Sequence, residues 1–100
     1  MLRQQPSVYI LTLTNADEEY SWTCPIAVKK INIQARESRD VRMAFQEGGT
    51  AAIGSYWTLK SGQVYYEDYP LEIKNAVFYF RDPTNAGTNI EILYWQEVGI

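Results

Sequence analysis

Histidine is absent from this chain of 100 residues, and cysteine occurs once, at Cys24. Without an imidazole there is no Ser-His-Asp triad, no Cys-His dyad and none of the usual zinc sites, which removes most hydrolases. A single thiol makes no intramolecular disulfide. Cys24 ends an alternating stretch just before Pro25, so it reads as a small buried apolar residue. No stretch approaches the ~18 apolar residues of a membrane span, and residues 1–6 lack the apolar run of a signal peptide. The expectation is a soluble protein made in the cytosol, with no membrane partner. Neither sign of charge dominates: nine Lys and Arg against twelve Asp and Glu give a net charge of -3. The cations are scattered and form no basic stripe, so nucleic acid is not an expected partner.

What is present is period-two alternation, restarting after each turn from Val8 to Trp95. In the run 30–36, Ile31, Ile33 and Ala35 point one way and Lys30, Asn32, Gln34 and Arg36 the other. The same reading gives strands at 7–14, 19–24, 28–36, 40–46, 55–59, 63–67, 75–81 and 89–96. Polar and glycine-bearing turns separate them, with 55–59 and 63–67 read as a hairpin over Lys60-Ser61-Gly62. Strands with one dry face need a second layer. The fold class is therefore all-β: an antiparallel β-sandwich of about eight strands, a jelly roll being the expected version, in one domain over 7–100 behind an N-terminal arm at 1–6. If 28–36 and 40–46 pair directly, Ala35 opposes Val41 and Ile33 opposes Met43, with Gln34 beside Arg42. In a jelly roll those strands could lie in opposite sheets, and that parity fails.

The apolar members of the alternating segments form the expected core: Ile10, Trp22, Ile31, Ile33, Val41, Met43, Phe45, Phe78, Phe80, Ile90 and Ile92. Residues 47–54, with three glycines, are the longest loop and the most flexible by composition.

The search for chemistry yields no catalytic, metal or cofactor residues. Glu67 and Asp68 are neighbours in an extended chain and point to opposite faces, a poor acid–base pair. Asp17, Glu18 and Glu19 lack the spaced ligand loop of a calcium site, and Gly48-Gly49 is too short for a phosphate cradle. Arg36, Arg39, Asp40 and Arg42 cluster around one turn, where opposite signs can satisfy each other at the surface. Aromatics are plentiful at 14%. Tyr56, Trp57, Tyr65, Tyr66 and Tyr69 crowd one segment, where consecutive rings must occupy both faces, so one or two should be free for a partner.

The order of scaffold residues adds a resemblance. Asn15-Ala16 leading to Tyr20, Pro25, the run 31–36, the run 40–45, the Gly49 loop, the run 56–62, Tyr79-Phe80 and Trp95 together resemble the small β-sandwich virion proteins of tailed bacteriophages. These are capsid decoration or cement proteins and related head and fibre modules. The resemblance spans about residues 7–97 and consists of scaffold positions, so it carries over no binding site. It implies a non-enzymatic protein on the phage head surface that bridges major capsid protein subunits as a homo-oligomer, a trimer in the first instance. The alternative is a non-catalytic carbohydrate-binding or adhesion module of a fibre or tail, with a glycan as ligand. Leu2, Arg3, Trp57, Tyr65, Tyr66 and Tyr69 are the expected interface residues. The arm at 1–6, with little apolar content to fold onto its own domain, is expected to lie across a neighbour, with the region 65–69 and the loop 48–54 as the next contact candidates.

Overall fold

A computed structural model describes residues 2–25, 27–67 and 76–99. Its eight strands are β1 (Leu2–Leu13), β2 (Tyr20–Thr23), β3 (Val28–Ala35), β4 (Val41–Ala44), β5 (Trp57–Leu59), β6 (Tyr65–Glu67), β7 (Val77–Arg81) and β8 (Thr88–Gly99). The described residues contain no helix. One sheet has the order β1-β8-β3-β6 and the other β2-β7-β4-β5, all neighbours antiparallel. The two arms of the chain thus match as 1 with 8, 2 with 7, 3 with 6 and 4 with 5, like a long hairpin wound into two layers. This is the jelly roll.

The core lies between the layers. Ile31, Ile33, Ile90 and Ile92 from one sheet meet Val41, Met43, Phe78 and Phe80 from the other, all essentially solvent-free. Leu13, Trp22, Val28, Leu59 and Cys24 complete it. Cys24 is thus the small buried residue its position suggested. Rings run through this core without a break. Trp22 lies 6.3 Å from Tyr9, 5.7 Å from Tyr94 and 6.0 Å from Phe78, and Phe78 lies 5.5 Å from Phe45 and 6.5 Å from Tyr65.

Several expectations are corrected. Segments 55–59 and 63–67 form no hairpin, because β5 and β6 belong to different sheets. The turn between them is a crossing: Gln63 N–H donates to the Lys60 carbonyl at 2.9 Å, and Gly62 takes a φ of +80° that a side chain would resist. β3 and β4 also lie in opposite sheets, so the pairing of Ala35 with Val41 and of Ile33 with Met43 does not exist. Gln34 instead pairs with Glu91, its Nε2 donating to the Glu91 carboxylate at 2.8 Å. In β1 the inward residues are Leu11 and Leu13, not Ile10, which lies on the opposite face and only half buried. Residues 2–6, expected as an arm, are the first part of β1 and pair with β8 from Leu2 opposite Gly99 to Pro6 opposite Trp95.

Phe45 is the other departure from the expected core. The strand ends at Ala44, and Phe45 is 55% exposed while keeping edge contact with Phe78. Ile33→Ala should therefore cost about 2–5 kcal/mol, whereas Phe45→Ala should cost about 1–2 kcal/mol. Parallel thermal melts check this; equal losses would place Phe45 in the core.

Candidate functional site

Nothing among the described residues gathers His, Cys, Asp or Glu into a group that could hold a metal ion. The Cys24 thiol is pushed up to about 11 by burial and is no nucleophile at neutral pH. The acidic run 17–19 is dispersed. Asp17 meets Arg81 at 3.3 Å. The Glu18 carboxylate accepts from the Asn15 amide at 2.7 Å and the Tyr20 hydroxyl at 2.9 Å. Glu19 turns toward the loop that joins β4 to β5. The basic turn behaves likewise, its charges satisfied elsewhere and not by one another as expected. Arg36 pairs with Glu91 at 2.8 Å, Arg39 donates to Thr88 at 2.9 Å, and Asp40 accepts from the Ser61 N–H at 2.7 Å.

Residues 47–54 are tied down, contrary to their glycine content. The Glu19 carboxylate accepts from the Gly48 N–H at 2.9 Å, from the Thr50 N–H at 3.2 Å and from the Thr50 hydroxyl. Arg81 donates to the Thr50 hydroxyl and Arg42 to the Thr50 carbonyl, each at 3.2 Å. Burial raises the Glu19 pKa, but the bonds from Thr50 and Gly48, with Arg81 nearby, outweigh it and hold the carboxyl below its ordinary value. Arg42 and Arg81 face each other on the outer side of the β2-β7-β4-β5 sheet, so these bonds draw the loop over that face and bury Thr50 completely. The glycines serve close packing: a Cβ on Gly54 would overlap the Gly49 carbonyl. The loop is fixed at its base, and at its tip Ile53 is 100% exposed.

The expected interface residues fall into three groups. Leu2 and Arg3 sit in β1 opposite Gly99 and Val98, but their side chains, like the whole of Tyr69, lie outside the described ones. Trp57 and Tyr65 meet edge to face at 5.5 Å across the end of the sandwich, with Trp57 40% exposed. The Tyr65 hydroxyl donates to Glu67 at 3.0 Å, and burial, then that carboxylate, push its pKa up to about 12. Tyr66, one residue on, points to the opposite side of the sheet and is 63% exposed. The structure thus joins Trp57 to Tyr65 and separates both from Tyr66.

Sequence reasoning named the 48–54 loop as a contact candidate but not Ile53 itself, whose lone position in a glycine-rich loop gives no periodic signal. It also missed the outer face of the β1-β8-β3-β6 sheet. There Val8, Leu93, Asn32 and Tyr66 stand in one row across four strands. Pro6, Trp95 and Lys30 form the next row on one side, with the Lys30 ammonium 4.7 Å over the Trp95 ring. Ile10, Glu91 and Gln34 form the row on the other side. A signal existed in β1, where Val8 and Ile10 alternate with Tyr9, Leu11 and Leu13, apolar on both faces. No family model, curated protein or solved structure matches the chain.

Proposed function

We propose that this protein is a non-enzymatic structural protein of a tailed-phage virion, a decoration protein of the head surface that bridges major capsid subunits as an oligomer. The observation that supports it most is Ile53, fully exposed on a loop whose base is secured by a buried threonine, two arginines and a carboxylate. Folding gains nothing from that side chain, while a partner's apolar pocket would. Phe45 and Trp57, 55% and 40% exposed, add aromatic contact area of the kind interfaces favour. The wound two-sheet architecture is one that viral capsid domains and lectins share, an argument by analogy of fold alone. A small domain offers modest contact energy, and shell symmetry repeats it many times.

The test is co-sedimentation of the purified protein with heads stripped of it. Wild type should bind saturably. Ile53→Asp should bind at least about tenfold more weakly with an unchanged melting temperature, since the side chain makes no internal contact. The second reading, a sugar-binding or adhesion module, draws on Tyr66, an exposed ring able to stack on a sugar. Failure to bind stripped heads, together with saturable binding on a glycan array, would favour it.

A further inference from the structure

We infer that the outer face of the β1-β8-β3-β6 sheet is a self-association surface, joining two copies of this chain about a two-fold axis. Antiparallel sheets of soluble domains ordinarily present polar residues outward. Here Pro6, Val8, Ile10, Leu93, Trp95 and Tyr66 take outward positions, and Val8 is 65% exposed. The opposite sheet differs, since the chain's own 47–54 loop bonds to Arg42 and Arg81 on its outer side.

Shape and charge both point to a second copy as the occupant. A groove of about 300 Å³ runs along this face, lined by Val8, Leu93, Asn32, Gln34, Glu91 and Val64. It is centred between the Leu93 row and the Glu91 row, toward one end of the face. On the other side of the Leu93 row, about 6.6 Å along the strands, stands the Trp95 ring with Lys30 over it. A two-fold axis crossing the strands beside the Leu93 row sets each copy's Trp95–Lys30 stack into the other's groove. The same rotation carries Lys30 toward the partner row that holds Glu91, so in both halves of the contact the cation approaches a carboxylate that already pairs with Arg36 in its own copy. Such reciprocity is what an isologous interface requires. Strands of 12, 12, 8 and 3 residues, rising about 3.3 Å per residue and about 4.8 Å apart, give roughly 550 Å² per copy and about 1,100 Å² in all, just above the ~1,000 Å² that a specific interface needs. This contact lies on the sheet opposite the Ile53 loop, so it is independent of any shell and leaves that loop free.

The experiment is sedimentation equilibrium of the full chain at concentrations up to about 100 µM, in low and physiological salt. Wild type should be a dimer. Val8→Asp should be monomeric with an unchanged circular dichroism spectrum, and its melting temperature should match that of wild type at dilutions where wild type is itself a monomer, because Val8 is outside the core. Lys30→Glu and Glu91→Lys should each weaken the dimer at least about tenfold, and the double exchange should recover most of that loss. A monomeric or trimeric wild type would overturn the inference. So would a dimer indifferent to Val8→Asp, or single and double exchanges that weaken it additively. Glycan binding by wild type, lost in Val8→Asp while both proteins remain monomeric, would assign the groove to a sugar instead.

Discussion

Phe78→Ala is expected to lower the unfolding free energy by about 3–5 kcal/mol and the melting temperature by at least about 12 °C. Phe78 is 1% exposed and stands where the ring series branches, against Trp22 on one side and Phe45 and Tyr65 on the other. Truncation removes the ring's transfer free energy and leaves a cavity that both sheets border. The strands on either side are hydrogen-bonded in fixed register, so the gap closes only in part. For a domain of this size the loss is a large share of the ~5–15 kcal/mol that holds a native state together. A denaturant titration and a thermal melt read it directly. A loss below about 1 kcal/mol would mean that the rings are not packed as described.

Asp82→Ala is the second large effect, about 2–4 kcal/mol. Asp82 is fully buried where β7 turns toward β8. Its carboxylate accepts from the Thr88 hydroxyl at 2.6 Å, the Asn85 N–H at 2.9 Å and the Thr84 N–H at 3.0 Å. Removing it leaves those donors without their acceptor, and the buried Thr88 hydroxyl keeps only the bond it accepts from Arg39. A cycle with Thr88→Val should show coupling, the pair of changes costing less than the two singles together. Burial raises the Asp82 pKa, but the bonds from Thr88, Asn85 and Thr84 outweigh it, and the folded value lies below the ordinary one. Its contribution is therefore complete above the unfolded value of about 3.9 and fades as pH falls through the lower folded value. Asp82→Asn should flatten stability against pH in that acid window. An unchanged acid slope would show that the carboxyl titrates alike folded and unfolded.

Legibility followed the chemistry of each strand. In 30–36 the inward residues are apolar and the outward ones polar, and in 89–96 Ile90 and Ile92 alternate with Asn89 and Glu91 before Leu93 and Trp95 make the outer side apolar, so both phases were readable, and Ile31, Ile33, Ile90 and Ile92 are indeed solvent-free. β1 failed for a physical reason: with Val8 and Ile10 outward and Leu11 and Leu13 inward, both faces are apolar and the pattern has no phase. That ambiguity marks the surface assigned above to a second copy. Phe45 misled because alternation continues one step past the last paired residue. The hairpin reading of 55–67 failed because a tight turn at 60–63 looks the same whether the chain folds back or crosses to the other sheet. The Glu19 and Asp82 networks were invisible, since hydrogen bonds to loop backbone leave no periodic trace.

The most direct test of the proposed place on a phage head is quantitative mass spectrometry of particles purified from the source that encodes this chain. The proposal predicts a copy number within a small factor of the major capsid protein, falling as heads are stripped. Absence from the particle, or a few copies that remain with detached tails, would contradict it.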